Sequence, residues 1–169
     1  MFNVGDIIIY TTTGLCRIDS LIKKEFNGQI KDYYILKPLN DNRSVLQVQV
    51  DNPITQIKLK TLLSKDEIME TIAKLPVLEP YWIENENERK KTFSEILRNG
   101  ERLEILKLIK SILEHHKGLK EKGRKLHACD EQYLKDGKKL IAEEFSYVLN
   151  MDRPSFEEYI KNIMGPEEE

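Results

Sequence analysis

The chain has 169 residues, 40% of them hydrophobic and 33% charged, which is enough apolar content for a packed core and too much for a disordered chain. Its 27 Lys and Arg stand against 29 Asp and Glu, a formal net charge of −2, and that balance excludes a protein held on nucleic acid by overall charge alone. Eight Gly and six Pro exclude a collagen-like or linker-like chain.

Residues 1–6 have neither a basic n-region nor an apolar h-region, so no signal peptide is expected. No apolar run approaches the roughly 18 residues of a membrane span. Residues 1–63 read as strands. Ile7-Ile8-Ile9-Tyr10 is a β-branched run, and residues 11–14 form a turn in which Gly14 can take a positive φ. Residues 15–22 resume strand character. Asn27-Gly28 lies between residues 23–26 and 29–36, the dipeptide that two-residue hairpins favour. Asn40-Asp41-Asn42 marks a second turn, after which Leu46, Val48 and Val50 alternate with Val45, Gln47 and Gln49, the period of a half-buried strand. Asp51-Asn52-Pro53 ends it, and Ile57 with Leu59 makes a short last strand. Five strands in about sixty residues predict a small SH3- or Tudor-like barrel, and an open sheet would have the same spacing.

Residues 64–165 read as helical. Ser64-Lys65-Asp66-Glu67 is a capping-box pattern followed by Ile68, Met69, Ile72 and Leu75. Pro76 and Pro80 stop that helix and bound a connector over 75–81. A second helix is expected over 85–99, with Gly100 as its C-terminal signal. A third is expected over 101–116, its stripe Ile105, Leu108, Ile109, Ile112 and Leu113, ending before Gly118. Asp130 is the expected cap of a fourth helix, with Tyr133, Leu134, Leu140, Ile141, Phe145, Val148 and Leu149 repeating near the helical period. A short fifth follows Pro154 with Ser155-Phe156-Glu157-Glu158 at its start. Gly165-Pro166 ends it, and residues 167–169 form a frayed tail.

The two halves differ in charge. Residues 1–63 carry a net +2 and residues 64–169 a net −4, and within the second half residues 107–125 hold seven basic side chains against Glu114 and Glu121. No catalytic constellation emerges. Gly118 and Gly123 stand outside any phosphate-loop pattern. His115-His116 and His127-x-Cys129 lack the ligand spacings of structural zinc sites, so no metal is expected. Cys16 lies in an apolar strand pattern, and with Cys129 reads as a reduced thiol. Glu143-Glu144 and Glu157-Glu158 are adjacent on helices and read as surface pairs. Trp82 is the single tryptophan, either a core residue or an exposed aromatic of the kind that wedges at base steps. Arg89, Lys90, Lys91 and Arg98 follow it on the next helix, either as a solvated face or as phosphate contacts.

The opening Phe2-x-Val4-Gly5-Asp6-x-Ile8-x-Tyr10-x₃-Gly14 resembles that of the CarD family of bacterial RNA polymerase-binding transcription regulators, a module similar to the polymerase-interacting domain of transcription-repair coupling factors. Tyr33-x-Ile35-Leu36-Lys37, Val48-x-Val50-x-Asn52, Trp82 after a Pro-bearing connector, Arg89, a helix ending at Asn99-Gly100-Glu101 and Ala142-Glu143-Glu144 extend the resemblance over nearly the whole chain. It implies an α+β protein in two parts, a Tudor-like barrel over 1–63 and a helical domain over 64–169. The barrel would dock on the lobe of the polymerase β subunit, partly by strand pairing, through Lys24, Phe26, Leu46, Gln47 and Val48. The helical domain would reach promoter DNA at the upstream edge of the melted region. There Trp82 would wedge into the minor groove, with Arg89, Lys90 and Lys91 beside it on phosphate.

The chain departs from the family pattern in places. Lys24 and Gln47 stand where arginines are common, Lys58-Leu59-Lys60 where a Gly-apolar-Arg is common, and Glu84, Glu86 and Glu88 where some members are basic. The resulting expectation is a cytoplasmic, monomeric, non-enzymatic regulator without cofactor. It would stabilise the open promoter complex through contact with DNA that is not sequence-specific. The rival expectation is a polymerase-binding adaptor that makes no DNA contact.

Overall fold

The computed structural model describes residues 1–11 and 13–164 and divides the chain into two units, Met1–Leu62 and Leu63–Glu169. The first unit is an antiparallel sheet of β1 (Ile7–Tyr10), β2 (Gly14–Phe26), β3 (Gln29–Pro38), β4 (Leu46–Gln49) and β5 (Leu59–Thr61), in the order β4-β3-β2-β1-β5. The β2–β3 hairpin turns on Asn27 and Gly28, both at positive φ (52° and 74°), as a two-residue turn between right-twisted strands requires. Period-two alternation sends Ile8, Cys16, Ile18, Tyr34, Leu36, Val48 and Leu59 to one core. A bulge at Asp19, between Ile18 and Ser20, shifts the register midway along the hairpin. These ladders establish a five-stranded antiparallel sheet. The β4–β5 pairing that would close it into a barrel is not among those of the described residues.

One predicted strand is in part a helix. Ile57 lies in α1 (Pro53–Lys58), and only Leu59 enters β5. The side chain of Asn52 accepts from the Ile54 N–H at 2.8 Å and Pro53 occupies the first turn. Asn-Pro is a helix start as well as a strand stop.

The second unit contains α2 (Lys65–Ala73), a 3₁₀ turn at Leu75–Val77, α3 (Glu86–Asn99), α4 (Arg102–Glu121), α5 (Ala128–Val148) and α6 (Arg153–Met164). Ser64 and Glu67 form the predicted capping box, the Glu67 N–H donating to Ser64 Oγ at 3.2 Å and the Ser64 N–H to the Glu67 carboxylate at 2.7 Å. Gly100 ends α3 in the left-handed region at φ 67°.

Helix α4 runs past Gly118, because Leu119 is buried and draws another turn into the core. The stop comes at Gly123, where the Arg124 N–H closes on the Leu119 carbonyl at 2.8 Å. Asp130 does not cap α5. His127 holds the cap position without a side-chain bond, and Asp130 is committed elsewhere, as described below. Helix α6 is capped one turn earlier than Ser155, by the Asp152 carboxylate accepting from the Ser155 N–H at 3.0 Å. The expected end at Gly165-Pro166 and the tail lie outside the described residues.

Helix α4 serves two cores. Ile105, Leu106 and Ile109 pack with Ile68, Ile72, Leu97, Ile141, Phe145 and Phe156. Leu108, Ile112 and Leu119 pack with Phe93 and Leu126. Each such fully buried side chain stabilises by about 1.5–3 kcal/mol relative to exposure. Close approach of α5 to α4 depends on Gly137, where a Cβ would stand 3.2 Å from Ile109 Cγ1. Glu143 and Glu144 are buried, not surface residues. Glu144 takes the Arg102 guanidinium through two bonds of 2.9 Å and also accepts from the Leu63 N–H at 2.8 Å.

Candidate functional site

Trp82 stands in the connector between the 3₁₀ turn and α3, a stretch with no helical or strand ladder of its own. Side chains hold it instead. The Tyr81 N–H donates to Ser111 Oγ at 3.0 Å, which ties the connector to α4. Arg89 does the rest from α3. Its Nε and Nη2 donate to the two oxygens of Asp130 on α5, at 3.0 and 2.9 Å. Its Nη1 donates to the carbonyls of Ile83 and Glu84, at 2.9 and 3.3 Å. The Asp130 hydrogen bond raises the guanidinium pKa above its ordinary value, against the opposing effect of burial.

The guanidinium carbon lies 4.6 Å from the centre of the indole. Phe93 meets Trp82 edge-on at 6.1 Å, and His115 stacks on it at 3.5 Å with the planes 7° apart. The indole is half-buried. It lines a surface groove of about 320 Å³ with Tyr81, Ser111, His115 and Lys122.

This arrangement corrects one expected phosphate contact. Arg89 is only 4% exposed and its donors are spent on Asp130 and two carbonyls, so it clamps the connector and does not face solvent. Lys90 is partly exposed and paired with Glu86 at 2.5 Å, a pairing that lowers the Glu86 pKa chiefly by hydrogen bonding. Lys91 is exposed.

The basic segment 107–125 divides in two. Lys107 stands over the Tyr81 ring at 5.4 Å, and Lys110 donates to the carbonyls of Leu75 and Pro76. Lys117, Lys120, Lys122, Arg124 and Lys125 are exposed, and Lys122 lies on the same groove as Trp82.

In the first unit, Lys24 donates to the Gln47 side chain across the outer face of the sheet and stands 5.9 Å from the Tyr33 ring centre. Phe26 is 64% exposed near the tip of the hairpin, with Leu21 and Ile30 also exposed. Among the described residues, strand β4 is an edge, with one side unpaired. Of the expected contacts on it, Gln47 faces solvent. Val48 is buried and Leu46 half-buried, both packed into the sheet's core, since alternate residues of a strand point to opposite faces. Those two can offer a partner backbone but not side chains.

Sequence reasoning missed two residues here, His115 as the stacking partner of Trp82 and Asp130 as the anchor of Arg89. A signal for Arg89 was present: Arg89, Phe93 and Leu97 recur at four-residue spacing, and all three are buried, so the arginine shares the helix's inner stripe. Among the described residues no group of three or more His, Cys, Asp or Glu is placed to hold a metal ion. None of the described helices is long and apolar enough to cross a membrane.

A small antiparallel sheet with an open edge strand and an exposed apolar hairpin is a unit suited to docking on a larger protein. Residues 2–59 match the family described as the CarD-like/TRCF RID domain. The N-terminal unit is thus a CarD-like RNA polymerase-interacting domain, and the helical unit lies outside the matched residues. No curated protein matches the chain.

Proposed function

We propose that the protein is a bacterial transcription regulator that works in the cytoplasm as a monomer. It binds the lobe of the RNA polymerase β subunit through its sheet and stabilises the open promoter complex through its helical unit. The observation that carries the reading is the match of residues 2–59 on a unit in which β4 lies at the edge of the sheet. Lys24, Phe26 and Gln47 are the side chains facing the polymerase, and strand pairing along β4 adds main-chain bonds. Trp82 meets the minor groove near the upstream fork of the bubble. Phosphates there are met by Lys90, Lys91 and the exposed lysines near the end of α4, without reading sequence.

The mechanism is a shift between states. A protein that binds the open complex more tightly than the closed one raises the open fraction by that difference in affinity. A net charge of −2 suits recruitment by polymerase, because strong independent affinity would disperse the protein over nonspecific sites. The second reading is an adaptor without DNA contact, favoured by the half-burial of Trp82 and the Lys90–Glu86 pair. The test of the docking claim is capture of purified bacterial polymerase by the full chain. Wild type should retain it. Phe26→Ser should weaken retention about tenfold while leaving stability within about 0.5 kcal/mol, as expected of an exposed position. Failure of the wild type to bind would overturn the reading.

A further inference from the structure

The direction in which Trp82 points is set by side chains from other elements. Arg89 and Phe93 from α3 meet the indole at 4.6 and 6.1 Å. His115 from α4 does something different. Its ring lies parallel to the indole, 3.5 Å away and within 7°, the geometry of a base stacked on an aromatic side chain. Both rings border the groove of about 320 Å³.

We propose that His115 is the positioning residue for Trp82: stacked on the indole, it fixes the edge that Trp82 turns toward the groove and occupies a place that a nucleobase would take. The stack stands on geometry alone, and its consequence for promoter DNA rests on the reading given above.

The arrangement carries a pH dependence. Burial lowers the His115 pKa below its ordinary 6.5, the nearby positive charges of Arg89 and Arg124 lower it further, and Glu84 and Asp130 oppose the shift. Glu114 and Lys122 border the same groove. A pKa lowered in the stacked state means that the proton binds more tightly when the ring is released. The stack is therefore complete above about pH 6.5 and weakens as pH falls toward and through the lowered value.

Because Trp82 is the only tryptophan, its fluorescence in the full chain reports this site alone. Emission and acrylamide quenching of wild type, His115→Ala and His115→Phe should be followed from about pH 8 to about pH 5, the range in which histidine titrates. Wild type should pass through one transition with a midpoint below 6.5. Both variants should lose it. His115→Ala should also shift the emission to the red and admit more quencher, and His115→Phe, which keeps a ring, should restore both. In an open-complex assay with polymerase, His115→Ala should shorten the lifetime about fivefold, the factor for one aromatic pair of about 1 kcal/mol at 1.4 kcal/mol per tenfold. His115→Phe should recover it.

The proposal is overturned if His115→Ala leaves emission, quenching and the pH transition unchanged. It is also overturned if Trp82→Ala shortens the lifetime and His115→Ala does not. If the fluorescence behaves as expected while Trp82→Ala leaves the lifetime unaltered, the stack stands and the DNA reading of Trp82 falls.

Discussion

Replacing Arg89 with leucine should destabilise the helical unit by about 3–5 kcal/mol, the usual cost of removing one partner from a buried ion pair. The structure supports the upper part of that range. Asp130 is 1% exposed, and both its oxygens are bonded to Arg89, at 3.0 and 2.9 Å. Leucine removes both bonds and leaves a buried carboxylate without that partner. The carbonyls of Ile83 and Glu84 lose their donor in the same substitution, so the connector that carries Trp82 is freed as well. Urea denaturation followed by far-ultraviolet circular dichroism gives the stability change, and acrylamide quenching of Trp82 reports the freed connector. The double variant Arg89→Leu/Asp130→Leu should recover much of the loss, because no buried charge then remains without a partner. A loss below about 1 kcal/mol for the single variant, within the range of exposed ion pairs, would refute the clamp. So would a double variant no more stable than the single one.

Gly100→Ala should cost about 1–2 kcal/mol, because φ 67° at the end of α3 places a Cβ in the disfavoured left-handed region, and denaturant midpoints will measure it. Glu67 gives a pH signature. Its carboxyl is held below its ordinary 4.5, first by the Ser64 backbone hydrogen bond and then by the Ser64 hydroxyl. A depressed folded pKa contributes stability that is whole above pH 4.5 and is lost as pH falls through the folded value. Glu67→Gln should therefore flatten the acid limb of the stability profile, and thermal melts across that range check it.

What the sequence made legible follows from the range of the forces involved. Asn27-Gly28, the Ser64–Glu67 box and Gly100 are local devices. Backbone sterics and bonds within four residues fix them, and the structure has each where the sequence places it. The short helix α1 was hidden because Asn52-Pro53 serves equally as the end of a strand and the start of a helix. Gly118 misled the reading of α4, since one glycine costs a helix only about 1 kcal/mol and burial of Leu119 outweighs that.

The candidate site was less legible because long-range pairing builds it. Asp130 looked like a cap until Arg89, 41 residues away, claimed it. His115 paired with a ring 33 positions earlier, for which no local pattern exists. Val48 illustrates a narrower limit: the period-two pattern marks its strand, but alternation turns its side chain into the core.

The most direct measurement is the lifetime of the open complex on one promoter with polymerase and either wild-type protein or Trp82→Ala, both shown to retain polymerase binding and the folded state. The lifetime with wild type should exceed that with Trp82→Ala by about fivefold to a hundredfold, from about 1–3 kcal/mol for an aromatic contact with a base. Equal lifetimes with equal polymerase binding would contradict it and leave the adaptor reading in place.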